Sequence, residues 1–91
     1  AQHSQFLRQQ TEQLQMVLTR ANLKILGGTT LFQTVKTSRA NHLHDHLAKA
    51  AIWTRKFSQM PDLLRFGVPA NEADFARLSE SLNNWRYKAN Q

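Results

Sequence analysis

Residues 52–68 read IWTRKFSQMPDLLRFGV, a pattern from which the rest of the architecture can be built. Two short apolar runs, residues 52–57 and residues 63–68, flank Ser58-Gln59-Met60-Pro61-Asp62, a segment of turn formers with a proline. That pattern predicts a β-hairpin. Side chains alternate along a strand, so Trp53, Arg55 and Phe57 share one face of the first arm. Leu63, Arg65 and Gly67 share one face of the second.

Downstream of the hairpin, Pro69 stops the strand and Asn71 is placed to cap a helix. Glu72 and Asp74 in its first turn complement the positive end of the helix dipole. Phe75, Leu78, Leu82 and Trp85 recur at steps of three, four and three, which is the apolar stripe of an amphipathic helix. Upstream, Ser38 is the expected cap of a helix over residues 39–51. Leu43, Leu47, Ala50 and Ala51 form its inward stripe, with His42, His46 and Lys49 at its edge or outside.

Residues 29–36, TTLFQTVK, are the remaining strand. Leu31, Gln33 and Val35 alternate there with Phe32, Thr34 and Lys36. Residues 4–22 carry Phe6, Leu7, Leu14, Val17, Leu18 and Ala21 at helical spacing, with no Gly or Pro. Lys24-Ile25-Leu26 then leads into Gly27-Gly28, read as a breaker pair in a connection. The expected order is α-β-α-β-β-α, an α+β two-layer sandwich. Helices cover one face of a small, mostly antiparallel, three-stranded sheet, and the other face is wet or docked on something else.

Composition narrows the function classes. The chain has 91 residues, enough for one domain, with 41% hydrophobic and 20% charged residues, as in ordinary globular proteins. No apolar run is long enough to span a bilayer, and the opening AQHSQFLRQQTEQ has no signal-peptide core, so no membrane association is expected. The absence of cysteine excludes disulfide scaffolds and thiol catalysis and fits a cytoplasmic setting. A net charge of +6 raises the question of nucleic acid, but the twelve Lys and Arg residues are dispersed and only Arg55-Lys56 are adjacent. No nucleic-acid partner is expected. The helical pattern is under way by Gln5, so Ala1 is expected inside a helix that continues from a longer chain, with Tyr87 to Gln91 as a terminal tail.

Several constellations invite chemical readings. His42 and His46 have a zinc-compatible spacing with Asp45 beside them, but Leu43 stands where a zincin motif requires glutamate. These are read as polar residues on a wet helix face, and no metal is assigned. Gly27-Gly28 lacks the spacing of either common phosphate loop, and no nucleophile elbow is present. Arg55 and Arg65 are more informative, because each interrupts an apolar strand. A guanidinium there must be paired or reach solvent. Its five donors suit bidentate capture of carboxylate or phosphate. Residue chemistry alone leaves capture and simple solvation both open.

The runs GGTTLFQTVKT (residues 27–37), HDHLAKAAIWTRKF (residues 44–57) and LLRFGVPANEADFARLSESL (residues 63–82), in that order and spacing, carry a resemblance. Together they resemble the small C-terminal domain of fold-type I PLP enzymes. More narrowly, they resemble the threonine-phosphate decarboxylases of cobalamin biosynthesis, relatives of histidinol-phosphate aminotransferase. The resemblance implies that residues 1–91 are a single C-terminal domain that packs over a large PLP-binding domain, in a homodimer when full length. It implies that Arg65 grips the α-carboxylate of a phosphorylated amino-acid substrate and that Arg55 contributes to its phosphate end. The lysine that binds PLP in such enzymes belongs to a serine- and glycine-rich segment that has no counterpart here. PLP is therefore expected in the full-length protein, whereas the 91 residues alone are expected to bind no cofactor and to be inactive. The alternatives are the small domain of a histidinol-phosphate aminotransferase-like transaminase, or a basic module for nucleic acid or protein.

Overall fold

A computed structural model of the chain describes residues 2–89. Ala1, expected inside the opening helix, and Asn90 and Gln91, expected in the tail, lie outside the described residues. The elements are α1 (Gln2–Arg20), β1 (Lys24–Gly28), β2 (Phe32–Lys36), α2 (Ala40–Ala48), β3 (Thr54–Phe57), β4 (Met60–Gly67) and α3 (Glu72–Ala89). The class is α+β, as expected, but the sheet has four strands where the sequence pattern gave three. It is antiparallel throughout, in the order β1-β2-β4-β3.

The added strand is β1, whose sequence KILGG reads as a connection. Lys24 and Ile25 pair with Lys36 and Val35; the register then shifts so that Gly27 faces Thr34 and Gly28 faces Gln33. Leu26 is thus the extra residue of a β-bulge. Gly27 takes φ 155°, which side chains rarely adopt. A side chain on Gly28 would meet the Phe32 carbonyl and come within 2.9 Å of the Gln33 backbone. The glycines therefore let this edge strand bend and approach its neighbour instead of ending it.

Thr29 to Leu31, read as the start of β2, form the turn between β1 and β2. The Thr29 amide donates to the Phe32 carbonyl at 2.9 Å, and the Leu31 amide donates to Thr29 Oγ1 at 3.0 Å. The β3-β4 hairpin is tighter than its sequence suggests: Phe57 faces Met60, so Ser58 and Gln59 alone make the turn. The register then shifts between Lys56 and Phe57, leaving Pro61 in a bulge where its missing N–H breaks no ladder bond to β3.

Helix ends follow local chemistry. The Asn71 side-chain oxygen accepts from the Asp74 amide at 2.9 Å, the expected cap of α3. Ser38 does not cap α2. The position before that helix is Arg39, with no side-chain cap, and Thr37 supplies its hydroxyl to the Arg39 amide at 3.2 Å and its carbonyl to Ala40 at 3.2 Å. Both α1 and α2 close with left-handed residues, Asn22 at φ 61° and Ala51 at φ 59°. The bond pattern is the same at each: Leu23 amide to Leu18 carbonyl with Asn22 to Thr19, and Ile52 to Leu47 with Ala51 to Ala48. Ala51 is consequently exposed in the closing turn and not part of the inward stripe.

The core lies on one side of the sheet. Val35, Leu64 and Phe66 meet Leu14 and Leu18 of α1, Leu43 and Leu47 of α2, and Phe75, Leu78, Leu82 and Trp85 of α3. Buried Gln33 donates to the Thr29 carbonyl at 3.0 Å and accepts from Gln15 at 3.4 Å. Among the described residues no buried side-chain polar atom lacks a partner.

Candidate functional site

Alternation along β4 sends Leu64 and Phe66 into the core, so Leu63, Arg65 and Gly67 stand on the helix-free face. On β2 the same rule places Val35 inside and Phe32, Thr34 and Lys36 outside. The register then decides which outer residues meet. Thr34 lies opposite Arg65, and Arg65 lies directly opposite Arg55. The two arginines singled out in the sequence are therefore cross-strand partners on one face. Arg65 is half-buried and Arg55 is exposed.

Two like charges placed directly opposite each other weaken a strand pair. Among the described residues no Asp or Glu pairs with either guanidinium; the ion pair seen is Arg77 with Asp74, at 2.8 Å on α3. Arg65 instead lies over an aromatic ring, its guanidinium carbon 4.5 Å from the centroid of Phe32. That contact holds the cation without a carboxylate, and among the described residues no hydrogen bond or ion pair takes up its N–H donors, which are free for a planar anion. Lys24 and Lys36 face each other further along the same surface, so it carries only cations among its charged strand residues.

A cleft of about 280 Å³ opens between the start of β3, the end of β4 and the first turns of α3, with Trp53, Val68, Asp74 and Arg77 in its lining. Neither Arg55 nor Arg65 lines it. Trp53 is 73% exposed, which leaves a large indole uncovered two residues before Arg55.

The histidine cluster is only partly a wet face: His42 and Asp45 are exposed, while His44 and His46 are half-buried. His44 Nδ1 lies 2.7 Å from Thr54 Oγ1, joining α2 to β3. The His46 Nε2–H donates to the Ser81 carbonyl at 2.8 Å, joining α2 to α3. The Trp85 indole N–H donates to His42 Nδ1 at 2.8 Å, with the Arg39 guanidinium 5.2 Å from the indole centroid. Residues at i, i+2 and i+4 thus reach three different partners and do not converge. Among the described residues no three His, Asp or Glu side chains are grouped to hold a metal ion. Gly27-Gly28 lies in an antiparallel edge strand that does not lead into a helix, so it is no phosphate loop.

Phe32 and Thr34, the neighbours of Arg65, were not recognised as site residues from sequence. Their alternation with Val35 was visible, but the pairing partner of β2 was not.

The chain is 40% identical over 81 residues to the threonine-phosphate decarboxylase of Pseudomonas aeruginosa, a match over 89% of this chain and 24% of that protein. It is 41% identical over 69 residues to the threonine-phosphate decarboxylase of a Sinorhizobium species, over 76% of this chain and 21% of that protein. Its sequence is that of a segment of the threonine-phosphate decarboxylase family. No family model matches it. The chain spans under a quarter of the length of these two decarboxylases. The face that carries Arg55 and Arg65 thus lies within a small part of the decarboxylase sequence.

Proposed function

We propose that the chain is the substrate-gripping C-terminal small domain of a cytoplasmic, PLP-dependent decarboxylase acting on L-threonine O-3-phosphate in cobalamin biosynthesis. The observation that carries this reading is the direct opposition of Arg55 and Arg65, two cations without a carboxylate partner among the described residues. Cross-strand Cα atoms stand about 4.5–5.5 Å apart. Two guanidinium heads rising from such a pair can hold both anionic ends of one small molecule. Arg65, half-buried and stacked on Phe32, takes the α-carboxylate; the more exposed Arg55 takes the phosphate. Binding at both ends fixes how the bonds at the α-carbon are presented, which is the orienting part of catalysis.

When bound, PLP supplies the electron sink for the bond that breaks at the α-carbon. The residues of this chain fit the substrate's anions and not the attachment of that cofactor. Lys24 and Lys36 are exposed on strands, and neither they nor Lys49, Lys56 and Lys88 have the serine- and glycine-rich surroundings such a lysine needs. The PLP lysine therefore belongs to a large domain outside this sequence, and the 91 residues alone are inactive.

The test is made in the whole enzyme that carries this segment. Supplied with O-phosphothreonine, it releases CO2 and forms aminopropanol phosphate, and Arg65→Ala lowers kcat/KM by about 2–5 kcal/mol of transition-state stabilisation. Wild-type kcat/KM in that variant would overturn the role of Arg65. Amino transfer to 2-oxoglutarate in place of CO2 release would overturn the reaction assigned.

A further inference from the structure

Resting on the reading of Arg65 as the carboxylate grip, we propose that Phe32 is a positioning residue that holds the Arg65 guanidinium ready for the substrate anion. Phe32 faces Gly67 in the β2-β4 register, and Arg65 faces Thr34, so Phe32 is the diagonal neighbour of Arg65 on the helix-free face. Diagonal neighbours on one face lie within reach of aromatic and long side chains. The guanidinium carbon stands 4.5 Å from the ring centroid, a stacking distance.

Gly67, directly across from Phe32, has no side chain to compete for the ring, and the space above it is open. An arginine has many rotamers, and a site that leaves it free must order it each time an anion binds. A carboxylate partner would order it too, but would occupy the donors that the substrate needs. The ring orders the cation by a cation–π contact, which uses none of its N–H donors in a hydrogen bond to a carboxylate. The absence of any acidic partner for Arg65 among the described residues fits this division of labour.

The experiment uses the whole enzyme with O-phosphothreonine and compares Phe32→Leu, Phe32→Tyr and Phe32→Trp in wild-type and Arg65→Ala backgrounds. Phe32→Leu keeps apolar bulk and loses the ring face. It raises KM by about 2- to 30-fold, the range of a cation over an aromatic ring, with a smaller change in kcat. Phe32→Tyr and Phe32→Trp retain near wild-type KM. In the Arg65→Ala background, Phe32→Leu adds nothing, since the partner it orders is already gone.

A Phe32→Leu enzyme with wild-type KM, beside an Arg65→Ala enzyme that has lost activity, would overturn the positioning role and leave the reading of Arg65 intact. Wild-type kcat/KM in Arg65→Ala would instead bring down the reading on which the role rests. Equal losses from Phe32→Leu in both backgrounds would make the ring merely structural. If Phe32→Leu does not fold, the ring-retaining variants decide, and a raised KM in either folded variant overturns the proposal.

Discussion

Two arginines at directly opposed positions of neighbouring strands repel each other, and an anion held between them relieves that repulsion. Arg55 and Arg65 hold those positions in the second row of the β3-β4 ladder, Arg65 half-buried and Arg55 exposed, and the proposed function gives them separate anions. Arg55 is the one assigned to phosphate, so Arg55→Ala should lose more activity on O-phosphothreonine than on unphosphorylated threonine. Comparing kcat/KM for the two substrates checks this, and equal losses would count against phosphate contact. Which residues accompany each arginine along its own strand was legible in the sequence, because strand alternation fixes the face of every second residue. That the two share a face and stand directly opposed was not, because both depend on a two-residue turn and a bulge that the Ser58 to Asp62 composition conceals. The three histidines misled for a related reason. Polar residues at i, i+2 and i+4 look solvated until the elements around α2 are placed, when His42, His44 and His46 find Trp85, Thr54 and Ser81.

Among the elements, α3 was readable almost in full, since its cap, acidic first turn and apolar stripe all agree. β1 was not, because two adjacent glycines look like punctuation and only the sheet reveals them as a bulge and a close approach. The turn after α2 is still less legible. Ala51 holds φ 59°, a conformation for which its side chain is poorly suited and which sequence pattern gives no reason to expect. A left-handed residue other than glycine costs about 1–2 kcal/mol. Glycine offsets part of that gain by adding roughly 0.4–1 kcal/mol of freedom to the unfolded chain. Ala51→Gly should therefore stabilise the fold by about 0.5–1 kcal/mol, or roughly 2–8 °C in Tm for a domain of this size. Thermal unfolding followed by circular dichroism checks the sign, and a lowered Tm would show that the turn carries no such strain. The turn also delivers Ile52 and Trp53 to the start of β3, so its geometry bears on where Arg55 stands.

At the scale of the whole molecule, a single layer of three helices over one sheet face gives a thin core with little redundancy. Leu64 is fully buried in a central strand, within the cluster that joins all three helices. Leu64→Ala should cost about 2–5 kcal/mol. A 91-residue fold has about 5–14 kcal/mol in total at typical stability per residue. Urea denaturation should show a sharply lowered midpoint, and an unchanged one would mean that the helices dock elsewhere. The layer order and the location of the core followed from the amphipathic stripes. The fourth strand and its position beside β2 did not, since pairing between elements leaves no periodic mark in a short edge strand.

That fourth strand has a consequence for how copies of the chain treat one another. A straight border strand with free N–H and C=O groups invites a neighbour to add itself to the sheet, the first step toward fibrils. Here the border bends at Leu26 and Gly27 and begins with Lys24, while the opposite border is four residues long and carries Arg55 and Lys56. Neither margin offers a flat, uncharged template, so a crowded solution of this protein has little means of growing sheet upon sheet.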